Sequence, residues 1–308
     1  MLQLLLGGSG SGKTTLLYQR IRARAEKGEK SILLVPEQFT SSTEGRIYRE
    51  LGDALSGMVE SFSFTSLAEK ILSTEGGAAV QTLSDAGRAV LVRRALEELQ
   101  DNVHYYHRHR RSAAFCQMAA QTIDELKSAG LSGRQLAQLA GACGAESGKL
   151  SELALIFQGY ETLLARSGMD PSDRLELAGA RLEEALARHS LPEFLRDRAV
   201  FIDEFDTFNA PKKRLLGAML AALPSVTVAL CDDGAPLLPG DLSLFSGAKQ
   251  VAAQLRQLAR KNGAEVAVPQ LLRKDLRHRN APGLAAVAEL LETGSCTADA
   301  PAGEVRLF

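Results

Sequence analysis

Apolar residues fall into two textures along this chain of 308 residues. Near the start they come in short unbroken runs. LQLLL (2–6), SILLV (31–35) and VESFSF (59–64) are too short for helices and too continuous for half-exposed strands, so they read as strands covered on both faces. Between them, TTLLYQRIRARAEKG reads as a helix closed by Gly28. SSTEGRIYREL reads as a second helix, with Ser41 as N-cap and Glu44 three residues on completing a capping box. TSLAEKIL begins a third. Strands alternating with helices in this way predict a parallel sheet with helices on both faces.

From about residue 78 the spacing turns helical throughout. AGRAVLVRRALEELQ, SAAFCQMAAQTIDELKSAG, KLSELALIFQGYETLLARSG and SDRLELAGARLEEALARH all repeat apolar residues every three or four positions, and no run between them reads as a strand. Strands return with RAVFIDEF (198–205) and SVTVALCDD (225–233). A helix, GAKQVAAQLRQLARKNG, stops at Gly263. AEVAV (264–268) then predicts a short strand, RNAPGLAAVAELLE a helix, and GEVRLF (303–308) a last strand. The expected organisation is one α/β domain made of residues 1–77 and 193–308, interrupted by an all-helical subdomain over 78–192.

Composition narrows the function classes. The apolar fraction is 45 % and charged residues are 24 %, which excludes a disordered or fibrous chain. A net charge of −1 provides no global attraction to nucleic acid or an anionic membrane, so any such binding rests on local patches. Cys116, Cys143, Cys231 and Cys296 have neither metal-ligand nor redox spacing, which points to a reducing compartment. The opening apolar run is too short for a signal peptide and has no basic residues before it. No segment approaches the roughly 20 apolar residues needed to span a bilayer. The expectation is a soluble, cytoplasmic protein with no membrane partner.

The most specific chemical signal is Gly7-Gly8-Ser9-Gly10-Ser11-Gly12-Lys13-Thr14, which fits G-x-x-x-x-G-K-[ST] between a strand and a helix. Glycines let the backbone curl so that successive N–H groups point inward at phosphate oxygens. The helix N-terminus adds its positive end. Lys13 is expected to reach the β- and γ-phosphates of ATP, and the Thr14 hydroxyl to ligate Mg²⁺, with Thr15 completing the phosphate-binding set. The strand begins at residue 2, so no preceding segment is expected to read the adenine.

Such a loop needs an acidic partner on a neighbouring strand. In VFIDEFDTF, Asp203 suits the metal side and Glu204 the role of general base toward an attacking water. Asp206 reads as a cap for the following helix. Asp232 and Asp233 end the next strand without the glutamine that commonly senses a γ-phosphate there, and read better as solvated acids. The stretch HYYHRHRRS (104–112) lacks the carboxylate or cysteine that would make a metal site. It reads either as a solvated loop or as a phosphate-contacting patch in which Arg108, Arg110 and Arg111 supply salt-sensitive affinity while tyrosines stack on bases.

Further segments follow in a set order: LLVPEQFTSSTEGRI, SFTSLA, Ile123-Asp124-Glu125-Leu126-Lys127, KLSELALIFQGYETLL, MDPSDRLELA, VFIDEFDTFNAPKKRLL and LSLFSGAKQVAAQL. With the phosphate loop ahead of them, nearly the whole chain resembles the N-terminal part of the AddB/RexB-type subunit of bacterial ATP-dependent helicase–nucleases. That resemblance implies a superfamily 1 helicase-like fold, with a RecA-like P-loop sheet and an inserted helical subdomain. It implies phosphate binding at Gly12, Lys13 and Thr14 and a metal-side acid at Asp203. Gln38 and Phe39 fall in the segment similar to helicase motif Ia, and Phe64 and Thr65 in the one similar to Ib; both border the DNA path in such enzymes. Read from the residues alone, the two are a turn and a helix N-cap. By the same resemblance, Arg279 in LRHRN is an arginine-finger analogue.

Motors of this class follow Asp-Glu with an aromatic residue and then Gln, whereas here Phe205 precedes Asp206. That departure, the absent sensor glutamine and the absent adenine segment imply a weak motor that scans DNA. The resemblance further implies action on double-strand ends in recombinational repair, in a heterodimer with an A-type subunit. Family members are longer and continue into a second motor-like domain and an iron–sulfur nuclease domain. The cysteine spacing here does not match that cluster, so the chain is expected to be a piece of such a protein without a nuclease site. Two readings from the residues alone stay open: a stand-alone P-loop phosphotransferase or NTPase with the helices as a substrate lid, and a non-enzymatic scaffold for DNA or a partner with a relic loop.

Overall fold

A computed structural model describes residues 1–77, 81–144 and 147–295. The strand expected at GEVRLF, and Cys296, lie outside the described residues. The other cysteines are free, Cys116 buried and Cys143 and Cys231 exposed.

The chain divides into two compact units, one holding Met1–Leu67, Leu186–Phe208 and the residues from Leu216 onward, the other Ala68–Ala185 with Asn209–Leu215. The first is built on a six-stranded sheet. Its strands are β1 (Leu2–Gly7), β2 (Ser31–Leu34), β3 (Val59–Phe62), β4 (Ala199–Ile202), β5 (Ser225–Cys231) and β6 (Gln270–Leu272). They lie in the order β3-β2-β4-β5-β1-β6, and every pairing is parallel. A parallel sheet is covered on both faces, which is why β1, β2 and β4 are apolar runs rather than alternating ones. Leu2, Leu4, Leu5, Ile32, Leu34, Val200 and Ile202 are all fully buried.

Helix α1 (Lys13–Ala25) follows β1 and buries Leu17, Tyr18 and Ile21 against Leu33, Phe201 and Ala229 of the sheet. Helix α2 (Thr40–Leu51) adds Ile47 and Leu51 to the same layer. The expected capping box does not form. A 3₁₀ turn at Glu37–Phe39 runs directly into α2, so the helix starts at Thr40 and Ser41 lies within its first turn. Thr40 and Ser42 donate instead to the carbonyls of Glu37 and Phe39. After β3 come the start of α4 (Phe64–Glu75), then α10 (Ala210–Ala222), α11 (Ser246–Lys261) and α12 (Pro282–Thr293); a four-residue helix, α3 (Asp53–Ser56), precedes β3.

The edge beyond β1 corrects a second expectation. AEVAV forms no strand: it touches β1 only through an isolated bridge between Val266 and Leu2. The strand is Gln270–Leu272, opposite Leu5–Gly7. Three residues of β1 separate the two contacts while four separate them on the other side (Leu2 to Leu5 against Val266 to Gln270), so one extra residue interrupts the edge.

Among the described residues the second unit is helical apart from one bridge between Thr82 and Met169. It contains α5 (Asp85–Glu98), α6 (Ala113–Ser128), α7 (Gly133–Ala140), α8 (Ser147–Ser167) and α9 (Pro171–Ala187). Its core gathers Val92, Leu96, Ile123, Leu136, Phe157 and Tyr160. Beside that core lies a buried ion pair. Asp170, 1 % exposed, accepts from Lys127 Nζ at 2.7 Å and from the Tyr160 hydroxyl at 2.6 Å. Lys127 also reaches both carboxylate oxygens of Asp173, at 2.9 and 2.8 Å. Burial pushes the Asp173 carboxyl above the usual carboxylate range, against the opposing pull of Lys127. No described helix is long and apolar enough to cross a membrane.

Removing one partner of a buried pair leaves the other charge uncompensated, at a cost of about 3–5 kcal/mol. Lys127→Ala is therefore expected to lower the thermal transition of the helical unit, followed by circular dichroism. An unshifted transition would show that the pair contributes nothing.

Candidate nucleotide site

The parallel register levels the carboxyl ends of the central strands. Gly7 of β1 stands opposite Cys231 of β5 and Leu272 of β6, and Ile202 of β4 stands opposite Val228 and Leu34. The residues that follow β1 and β4 therefore emerge at one rim of the sheet, where ligands of open α/β folds bind.

From Gly7 the backbone reverses into α1 within a few residues. Gly10 has φ of 79° and Gly12, the residue before the helix, φ of 88°. Those conformations belong to glycine, and space enforces the same choice. A Cβ on Gly10 would stand 2.6 Å from Cβ of Arg277, and one on Gly12 2.9 Å from Leu276 Cδ1. Lys13 Nζ lies folded across its own loop, donating to the carbonyls of Gly7 and Gly8 at 2.8 Å each. The Ser11 hydroxyl is buried in the turn without a hydrogen-bond partner.

Asp203 leaves the end of β4, its N–H donating to the Leu34 carbonyl at 3.1 Å. It is 6 % exposed, and burial raises its carboxyl above the usual range, opposed by a hydrogen bond with the Thr14 side chain and by the charge of Lys13. Glu204 is exposed and holds a left-handed φ of 64°, a conformation that costs a non-glycine residue about 1–3 kcal/mol. Its N–H donates to Asp203 Oδ1 at 3.0 Å. These residues line a cleft of about 490 Å³ together with Gly10, Gly12, Thr15, Arg46 and Arg277. A glycine cradle with a lysine at its mouth suits phosphate, and a hydroxyl beside a buried carboxylate is an oxygen donor pair that suits Mg²⁺. The residues present fit both.

Other acids sit differently from expectation. Asp206 lines the cleft, and Asn209 caps α10, accepting the Lys212 N–H at 3.1 Å. Asp232 and Asp233 are not solvated. Asp232 is buried and accepts the Gly234 N–H at 2.7 Å, while Asp233 pairs at 3.2 Å with the buried ammonium of Lys249.

The arginine near the loop is Arg277, two positions before the residue that the sequence singles out. The segment after β6 lies along the phosphate loop: Leu276 N–H donates to the Gly10 carbonyl at 3.0 Å, and Arg277 Nη1 to the Ser9 hydroxyl at 3.0 Å. Asp275 fixes this turn by accepting the N–H groups of Arg277 and His278. Arg279 is exposed and does not line the cleft. The signal for Arg277 is topological. Only the pairing of β6 with β1 brings that segment to the loop.

Of the residues expected along DNA on the sheet unit, Gln38, Phe39 and Thr65 are exposed. Phe64 is not available. It is 3 % exposed and packs edge-on against Phe205 and Phe208, with centroids 5.2 and 6.0 Å away, so it belongs to the core. In the helical unit, HYYHRHRRS is an ordered loop hung on a residue absent from the sequence reading. Buried Glu152 of α8 accepts the consecutive backbone N–H groups of His104, Tyr105 and Tyr106 at 2.7 to 3.2 Å. Tyr106 stacks on Phe115 at 5.4 Å. Arg110 is half-buried and bonds to the ring and carbonyl of His107, which ties it into the loop itself. Arg108 and Arg111 are exposed. No group of three or more potential metal-ligating side chains occurs among the described residues.

Comparison with known proteins adds the following. A family model described as "ADDB, N-terminal" matches residues 4–288. The chain is 34 % identical over 296 residues to the B subunit of the ATP-dependent helicase/deoxyribonuclease of Desulforudis audaxviator, covering 92 % of this chain and 25 % of that protein. It is 33 % identical over 299 residues to the protein of the same name from Moorella thermoacetica, covering 92 % and 25 %. For the one from Symbiobacterium thermophilum the identity is 31 % over 313 residues, covering 94 % and 26 %. The chain thus spans about a quarter of the length of the curated relatives it matches.

Glu152→Ala would leave three buried-side amides without their acceptor, at about 1–3 kcal/mol for each unsatisfied group. The expected result is faster amide hydrogen exchange at residues 104–106. Protection equal to wild type would show that the loop is held by other contacts.

Proposed function

The chain belongs to the AddB N-terminal family, and from that premise we propose that its sheet unit is a RecA-like, superfamily 1-type nucleotide-binding domain that takes ATP with Mg²⁺. The observation that carries this reading is the meeting of Lys13, Thr14 and buried Asp203 at one rim of the sheet. Lys13 would exchange the Gly7 and Gly8 carbonyls for phosphate oxygens, and the inward amides of the loop would hold the rest of the chain of phosphates. Thr14 and Asp203 would hold Mg²⁺, which when bound neutralises charge on the β- and γ-phosphate oxygens. Glu204, exposed beside Asp203, is placed to take a proton from an attacking water. Arg277 on Ser9 replaces Arg279 as the cleft's arginine.

At the level of the whole protein, we read the chain as part of the B subunit of a helicase–nuclease that works on double-strand DNA ends with an A-type partner. The names of its relatives support that reading. The nuclease in those names is assigned to no residue of this chain. Hydrolysis is expected to be slow here, because Asp206 follows Phe205 where active motors carry glutamine. Gln38, Phe39 and Thr65 are offered to DNA from the sheet unit, and Arg108 and Arg111 from the helical unit.

Titration calorimetry with MgATP tests the core of this reading. Wild type is expected to bind, and Lys13→Ala to lose affinity by about 100-fold or more, the weight of a buried charge-assisted contact. Equal affinities would refute the site, and a flat wild-type titration with DNA binding retained would favour the scaffold reading. For DNA, the double variant Arg108→Ala/Arg111→Ala is expected to weaken binding to a single-stranded oligonucleotide and to flatten its dependence on log salt by roughly 0.7 for each phosphate no longer neutralised. An unaltered slope would remove both residues from the path.

A further inference from the structure

Arg46 stands where two clefts meet. It belongs to α2, thirty-odd positions beyond the phosphate loop, yet it lines the cleft around Lys13 and Thr14. It also lines a second cleft of about 410 Å³ that runs along α2 past Tyr18, Phe39 and Glu50. The residues common to both are Thr14, Arg46, Asp203 and Glu204. Its guanidinium carbon lies 5.0 Å above the centroid of the Tyr18 ring, a buried side chain of α1. Most partly buried arginines here are tied to carboxylates, as Arg88 is to Asp85 and Asp124, Arg198 to Glu60 and Arg174 to Glu69. Arg46 makes no ion pair among the described residues.

We propose that Arg46 is a second cation of the nucleotide site, one that grips the terminal phosphate and gives the site its preference for a triphosphate over a diphosphate. The inference rests on the nucleotide reading above. With the loop cradling the phosphates and Thr14 and Asp203 on the metal, the terminal phosphate lies toward the Asp203–Glu204 corner. Two carboxylates stand there, and both repel an incoming phosphate. Lys13 offsets one of them. The other needs a positive group on the same corner, and Arg46 is the cation that shares it. Arginine suits this place better than lysine, because its planar fork bonds two phosphate oxygens at once. An aromatic ring below it fixes that plane before the ligand arrives, so less side-chain freedom is lost on binding. A diphosphate has no oxygen at that corner, so it gains nothing from Arg46.

Calorimetric titration of wild type, Arg46→Met and Arg46→Lys with MgATP and MgADP tests the inference. Methionine keeps an apolar stem on Tyr18 without the charge, and far-ultraviolet circular dichroism checks that each variant folds. The expected result is that Arg46→Met raises the Kd for MgATP about tenfold, the scale of one charge-assisted contact. Its Kd for MgADP should change less than about twofold, and Arg46→Lys should recover part of the preference. Equal losses for both nucleotides, or no loss for either, would overturn the role of Arg46 while leaving the nucleotide reading intact. A flat wild-type titration would take down that reading and this inference together.

Discussion

Parallel pairing of β1 with β5, and of β5 with β4, is the constraint on which the molecule's chemistry depends. It places the last residue of β1 and the first residue past β4 at one rim, one strand apart. A phosphate loop is a local structure, but a loop alone holds only anions. The acid that gives it a cation must come from a distant part of the chain, and here nearly two hundred residues separate Lys13 from Asp203. The sheet closes that gap with hydrogen bonds between backbone groups, which do not depend on what lies between the strands in sequence. An all-helical unit of more than a hundred residues can therefore sit between them in the chain without disturbing the register.

How much was legible in the sequence follows from how local each feature is. The apolar runs of β1, β2, β4 and β5 are visible because a strand covered on both faces has no polar positions to break the pattern. The strand-to-helix setting of the phosphate loop is equally local, since Gly10 and Gly12 carry backbone angles that few other residues accept. What sequence reading missed was set from a distance. Phe64 looks like a ring free for stacking until Phe205 and Phe208 close over it. Glu152 is one polar position on a long helix, and its role comes from three amides some forty-eight to forty-six residues earlier. Arg277 and Arg279 are indistinguishable in LRHRN; the edge pairing of β6 decides between them. The capping box failed for a nearer reason. A 3₁₀ turn already supplied the helix start, so Ser41 had no amide left to cap.

The electrostatics of the rim share one theme. Each charge near the loop is met by a group that a ligand can replace. Lys13 is satisfied by two carbonyls rather than by a carboxylate, and Asp203 by a hydroxyl rather than by an arginine. A salt bridge in either place would have to be broken on binding, at a cost set by two buried charges at once. Carbonyl and hydroxyl contacts are worth about 1 kcal/mol net, so phosphate and metal displace them easily. Elsewhere the chain uses the opposite solution. Lys127 is locked between Asp170 and Asp173, and Arg214 between Glu176 and Glu183, in a unit where those residues have structural work alone.

That contrast bears on why Arg46 rests on a ring. An arginine close to Asp203 and Glu204 has acids within its corner, and pairing with either would remove it from use and cancel the carboxylate as well. Tyr18 offers a surface that attracts the cation without a formal charge, since the face of an aromatic ring is electrostatically negative. Burial pushes the Tyr18 hydroxyl up to about 12, against the lowering effect of Arg46, so the ring stays neutral across the working pH range. A neutral platform holds the guanidinium by about 0.5–1 kcal/mol at a partly exposed site. A phosphate outcompetes that readily, whereas an aspartate in the same place would not release it.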